Sequence, residues 1–144
     1  MSVDPDMQAA YLHTAYWVEA RPQPVALRIG ERSLALDRIL ARQHSSRWAF
    51  VTAWNPHSRR LAPWQNAAHQ KQLLQALRRA GYRWLPALGE GDDLAWPPEP
   101  SVLVLGMSSR AAVRLARRFK QNAVVVGRLR GRPTLVWCGP RLIP

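Results

Sequence analysis

Between positions 47 and 56 the chain reads RWAFVTAWNP, an apolar run that stops in a polar, turn-forming cluster. A run of roughly four to eight apolar residues bounded by turn signals predicts a buried strand. Thr52, Asn55 and Pro56 then stand at its carboxyl end. In open α/β sheets ligands sit at that edge. The pattern locates a candidate site before it names any chemistry.

The same periodicities divide the rest of the chain. Met7, Ala10, Tyr11, Thr14 and Trp17 recur at helical spacing, which predicts a short amphipathic helix over 5–17. Pro22 and Pro24 break the chain before a short strand over 25–29, ending at Gly30. Ser33 is a good N-cap for a helix over 34–43 with Leu36, Ile39 and Leu40 as its buried stripe. A strand over 47–53 and a Pro-rich loop to residue 60 follow. The longest helix signal covers 63–80, with Ala67, Gln70, Leu73, Leu74, Leu77 and Ala80 on one face and Gly81 as terminator. Residues 82–88 read as a strand in which Tyr82, Trp84 and Pro86 alternate with Arg83 and Leu85, and 89–98 as a loop. The continuous apolar run 101–105 is the kind of strand buried on both faces. Ser108 or Ser109 caps a helix over 110–120, and strands over 122–126 and 134–138 form a hairpin through 127–133. The order predicts an α/β or α+β fold: a mixed sheet of five to six strands with three to four packed helices. One domain over 1–144 is expected, with the N-terminal helix at 5–17, a core over 24–138 and a short tail at 139–144.

Composition narrows the function classes. The chain has no stretch of about 20 apolar residues that could span a membrane. Its first residues, MSVDPDMQAAYLHT, begin acidic and lack the apolar core of a secretory signal. The single cysteine, Cys138, excludes an internal disulfide. A cytoplasmic location is therefore expected. His13, His44, His57 and His69 show no paired ligand spacing, so neither a metal site nor a cofactor is expected.

Charge changes the picture most. Twenty-one basic residues, 19 of them arginine, stand against nine acids, for a net charge of +12. After Glu99 there is no acid, whereas Arg110, Arg114, Arg117, Arg118, Lys120, Arg128, Arg130, Arg132 and Arg141 follow it. A field of that sign attracts polyanions, whether nucleic acid, an acidic protein or an anionic surface. A GC-rich genome accounts for the choice of Arg over Lys, but not for the missing acids.

At this point four blocks carry a resemblance. FVTAWNP at 50–56, Asn66 entering the long helix, Pro98-Glu99-Pro100-Ser101 leading into an apolar strand, and Phe119-Lys120-Gln121-Asn122-Ala123 closing the last helix occur in that order. Together they resemble a bacterial family, domain of unknown function 3293, over about Val25 to Trp137. Two departures are Lys120, where the family often has Gly, and Gln65, where it has Glu before the helix asparagine. The resemblance implies a single compact bacterial domain and carries no assigned activity.

Three constellations could carry chemistry. Thr52, Trp54, Asn55, Asn66, Glu99, Ser101 and Gln121 all lie at predicted strand or helix ends, or beside them, positions that converge if the strands are neighbours. Asn and Gln amides both donate and accept, which suits reading a base edge, a ribose or an amide. The same residue types also brace turns and cap helices. Glu99 is the one carboxylate of the set and the candidate general base, with His57 as a further acid or base. The second constellation is the last helix: at 100° per residue Arg110, Arg114, Arg117 and Arg118 fall within about one quadrant, opposite Ala112, Leu115, Ala116 and Phe119. Such a ridge could track successive phosphates, with Arg128, Arg130 and Arg132 extending it, though a charged helix face is also an ordinary solvated one. Third, Trp48, Trp84 and Trp137 read as core, whereas Trp54, Trp64 and Trp96, in or beside loops, are candidates for base stacking. The reading that follows is a small basic domain binding nucleic acid or another phosphorylated ligand. A nuclease-like hydrolase using Glu99 and His57, or a module for an acidic protein partner, are the alternatives. Oligomeric state is not legible in the sequence.

Overall fold

The computed structural model describes residues 4–139; residues 1–3 and 140–144, Arg141 and most of the expected tail among them, lie outside that range. The described chain runs α1 (Pro5–Leu12), β1 (Ala15–Val18), β2 (Val25–Leu27), α2 (Leu34–Arg42), β3 (Arg47–Val51), a 3-10 turn (Pro56–Ser58), α3 (Pro63–Arg79), β4 (Trp84–Glu90), β5 (Glu99–Leu105), α4 (Ser109–Arg118), β6 (Ala123–Arg128) and β7 (Thr134–Trp137).

Helix starts follow the capping chemistry in the sequence. Ser33 Oγ accepts the Leu36 N–H and Ser108 Oγ the Ala111 N–H, both at 3.1 Å. Asp4 does the same for Asp6 at the head of α1. α3 starts with Pro63 in its first turn, while Gln65 Oε1 reaches back to the Ala62 N–H. At its far end Gly81 takes φ +81°, which an L side chain would resist.

All seven strands join one sheet, ordered β2-β1-β4-β5-β3-β6-β7. Every pairing is antiparallel. This corrects two expectations, the strand count and the mixed sheet. The extra strand is β1, which takes the last three positions of the expected 5–17 helix because Ala15–Val18 pairs with Glu90–Ala87 of β4. The helix that remains has no fully buried residue and is not amphipathic. No parallel pair forms because each crossover skips a strand. β3 and β4 are separated by β5, and β5 and β6 are separated by β3. The segment β3-α3-β4-β5-α4-β6 thus has the β-α-β-β-α-β connectivity of a split β-α-β, ferredoxin-like arrangement. β1 and β2 extend it on one side and β7 on the other.

Side-chain alternation builds two cores. Trp48, Phe50, Leu103, Leu105 and Val125 meet Leu36 and Leu40 of α2 on one face. Ala49, Val51, Val102, Val104, Val124 and Val126 meet α3 (Leu73, Leu77) and α4 (Ala112, Ala116) on the other. The bulky set wraps a single helix, and the small set gives a flat bed on which two helices lie close. Both faces of β5 are covered, so its apolar run is buried on both sides as expected, in an antiparallel setting. The sheet curls into a half-barrel around α2: Gly30 N–H donates to Pro133 O at 2.8 Å, joining the turns beyond the two edge strands. Among the described residues no helix is long and apolar enough to cross a membrane.

Candidate functional site

The strand registers place the end of β3, the starts of β1, β5 and β6 and the end of β7 at one rim of the half-barrel. α1 leads into β1 at this rim, and its Tyr11 packs edge-on against Trp137 of β7 with ring centroids 5.4 Å apart. α1 therefore crosses the mouth from one edge of the sheet toward the other.

The polar blocks read from sequence meet here. Asn55 N–H donates to Asn66 Oδ1 (2.8 Å), and Asn66 Nδ2 returns to Asn55 Oδ1 (2.7 Å). Asn55 Oδ1 also accepts the Leu61 N–H, and Asn55 Nδ2 donates to Glu99 Oε1 at 2.8 Å. Thr52 Oγ1 accepts the Trp54 N–H and donates to Pro100 O. Ser101 Oγ donates to the Glu99 carbonyl, and Gln121 Nε2 to the Trp54 carbonyl. Asn55, Asn66, Ser101 and Gln121 are buried. These bonds hold the loop after β3, and the amides spend most of their capacity on one another and on backbone.

Sequence reasoning missed several parts of the rim. Gln70, counted with the apolar stripe of α3, turns Oε1 to the Ala53 N–H at 2.9 Å. Asn122 Nδ2 donates to Ser58 Oγ at 2.8 Å, and His57 N–H donates to Lys120 O at 2.7 Å. The signal available was the buried amide on an otherwise aliphatic stripe. The backbone is strained here as well: Asn55, His57, Ser58 and Lys120 have φ of 48°, 54°, 59° and 56°, four of the six such non-glycine residues among those described. Left-handed non-glycine residues cost of order 1–3 kcal/mol and collect where surrounding contacts over-determine them.

Glu99 is the chemical centre of the rim. Its Oε1 accepts from Asn55 Nδ2 and from Trp96 Nε1 (3.3 Å), and burial raises its pKa above the ordinary 4.5 against the pull of those two donors. Tyr11 lies close enough to feel the carboxylate. Its hydroxyl is pushed up to about 12, mainly by burial, and stays protonated at neutral pH. His57 is exposed, and among the described residues its side chain makes no hydrogen bond or ion pair with Glu99.

The arginines are distributed unevenly. Arg110, Arg114, Arg117 and Arg118 are exposed along α4, and among the described residues none is in an ion pair. Arg117 Nε reaches the Cys138 carbonyl (3.3 Å), and Arg118 lies 5.5 Å from the Phe119 ring centroid. The acidic 90–93 loop does not neutralise them; Asp92 faces His13 at 3.8 Å. Arg128 shares its strand face with Val124 and Val126, toward α4. Arg130 and Arg132 sit in a turn tied to α2, where the Arg130 N–H donates to Asp37 Oδ1 at 2.8 Å, so the structure does not join these two to the helix ridge. Trp64 is 74% exposed at the rim end of α3, whereas Trp54 and Trp96 are half-buried.

A family model described as Protein of unknown function (DUF3293) matches residues 51–124. That span runs from the last residue of β3 into β6 and includes Thr52, Asn55, Asn66, Glu99 and Gln121. No curated protein and no solved structure matches the chain.

Proposed function

The chain belongs to the DUF3293 family, whose description assigns no activity, and we propose from its surface that it binds nucleic acid through the outer face of the α3–α4 layer. One observation carries this reading. Neither helix contains an acid, and Lys71, Arg78, Arg79, Arg110, Arg114, Arg117 and Arg118 are all exposed on them. Seven cations with no carboxylate among them form a field in which phosphates replace solvent counterions. Exposed Trp64 at the end of the same layer adds a surface on which an unpaired base can stack. The opposite sheet face offers no such platform, because α2 packs on Trp48, Phe50 and Leu103. Base stacking on an open sheet, as in RNA-recognition modules, is thereby excluded.

Binding of a labelled single-stranded oligonucleotide, followed by anisotropy over a salt series, tests the proposal. Four phosphate contacts give a log–log salt slope of about −2.8. Arg114→Glu with Arg118→Glu should flatten the slope by about 1.4 and weaken every sequence alike. An unchanged slope in that variant refutes the proposal. Failure to bind any oligonucleotide, with capture of an acidic protein that survives nuclease, favours the protein-partner alternative.

A further inference from the structure

Glu99 is a half-buried acid at the rim, yet no cation pairs with it among the described residues. The Arg60 guanidinium is held by the neighbouring loop: it lies over the Trp96 ring at 5.6 Å and donates to the Ala95 carbonyl. Both hydrogen bonds to the Glu99 side chain enter Oε1, from Asn55 and Trp96. Oε2 receives none from the described residues. Nor is it a sealed orphan: among the described residues the fully buried side-chain polar atoms without partners are Trp48 Nε1 and His69 Nδ1. Asn55 is itself fixed by Asn66 and Leu61, so the carboxylate direction is set before any ligand arrives.

A half-buried carboxylate with one oxygen saturated and the other open is an acceptor-only group. It repels phosphate, and no cation competes for it. The partner it fits is a neutral group rich in N–H donors. Among nucleic-acid bases, guanine alone presents two adjacent N–H donors on its Watson–Crick edge with no acceptor between them. Single strands expose that edge, and proteins read unstacked bases there. Along the rim, the end of α4 carries Arg117 and Arg118, Lys120 follows in the turn after it, and Lys120 O accepts the His57 N–H of the loop that carries Asn55. A strand lying on the cationic layer thus has a route to the carboxylate.

We propose that Glu99 is a base-reading residue: its open Oε2 accepts the N1–H and N2–H edge of an unpaired guanine while the α3–α4 layer holds the flanking phosphates. This rests on the reading of that layer as a nucleic-acid surface. The Asn55, Asn66 and Gln121 amides act as positioning residues, satisfied within the protein.

The test uses the full chain and short thymidine oligonucleotides carrying two central guanines, adenines or inosines, by anisotropy at about 50 mM salt. The guanine probe should bind about tenfold more tightly than the adenine probe. Inosine, which lacks the N2 amine, should lose most of that gain, and this arm needs no protein variant. In Glu99→Gln the Asn55 and Trp96 donors keep the amide oxygen inward and turn its NH2 toward the ligand. Donor then faces donor, so the guanine preference should vanish while affinity for thymidine alone and the salt slope stay as in the parent. Equal, salt-dependent binding of guanine and adenine probes overturns the base-reading role and leaves the phosphate surface standing. A preference that survives in Glu99→Gln also overturns it. Absence of binding to all three probes overturns both proposals.

Discussion

The Asn55–Asn66 pair gives the sharpest stability prediction, because its geometry allows the cost of losing it to be worked out. Asn66 is 2% exposed, and it supplies an acceptor to the Asn55 N–H at 2.8 Å and a donor to Asn55 Oδ1 at 2.7 Å. Asn66→Ala removes both bonds, each worth about 1 kcal/mol net, together with the longer 3.4 Å bond from Asn66 Nδ2 to the Leu61 carbonyl. Asn55 Oδ1 keeps the Leu61 N–H, but the Asn55 N–H is left buried without an acceptor, at a further cost of about 1–3 kcal/mol. Better helix propensity of Ala recovers a few tenths. The expected loss is about 3–4 kcal/mol, read as a fall of about 1–2 M in the urea midpoint at constant slope. Gln72→Ala, on the exposed face of the same helix, should stay within about 0.5 kcal/mol. A loss below about 1 kcal/mol for Asn66→Ala would mean that the rim is not braced by this pair. The left-handed Asn55 backbone would then need another explanation.

Two further outcomes follow from other sites. Gly127 lies opposite Trp48 in the β3–β6 register, and a Cβ there would stand 2.5 Å from the indole, so Gly127→Ala should destabilise by about 1–3 kcal/mol; Trp48→Phe in the same chain should return part of the loss in a double-mutant cycle, and additivity would refute the clash. For Glu99, burial holds the proton to higher pH in the folded state than in the unfolded chain. The folded state therefore binds more protons, and stability falls as pH rises from the ordinary 4.5 through the raised folded value. Urea titrations across pH 4–8 (roughly the range where carboxyls and imidazoles titrate) should show the parent losing stability relative to Glu99→Gln as pH rises; parallel profiles would contradict the burial argument.

What could be read from the chain was what local chemistry decides. Ser33, Ser108, Pro63 and Gly81 mark helix ends through their own side chains and dihedral preferences, and three of the four helices lie close to where they are expected. The rim was legible because Thr52, Asn55, Asn66, Glu99 and Gln121 each sit where an apolar stretch begins or ends. What escaped depends on partners distant in sequence. Ala15–Val18 shares residues with a helical spacing, and only pairing with β4 some seventy residues on makes it a strand. The α-β alternation suggested parallel neighbours, but alternation fixes the order of elements and not which strand inserts between two others. The roles of the polar residues at the rim escaped for the same reason. Gln70 looks like a defect in a stripe until the Ala53 N–H is seen against it, and the amides expected to meet a ligand are bonded to each other.

The outer surface of α3 and α4 poses a different question, because packing leaves it free. Leu73, Leu77, Ala112 and Ala116 satisfy the sheet, and the remaining positions could hold any helix-compatible residue. Stability alone favours opposite charges spaced four apart, each pair adding about 0.2–0.5 kcal/mol. α4 does the reverse: Arg110 with Arg114, and Arg114 with Arg118, are like-charge pairs at that spacing. Only Arg117 and Arg118, in the last turn, interact favourably with the helix dipole. A compositional preference for arginine would place these side chains, but it would not remove every acid from two helices while Asp37 remains on α2 and Asp6 on α1. Along α4 the surface therefore runs against the stability of its own helix. For the same reason Arg114→Glu with Arg118→Glu removes two repulsions with Arg114 and adds an attraction to Arg110, leaving one repulsion between the new carboxylates. Arg118→Glu also reverses the favourable dipole contact of the last turn, so a binding defect in that variant reports on the ligand where its urea midpoint matches the parent's.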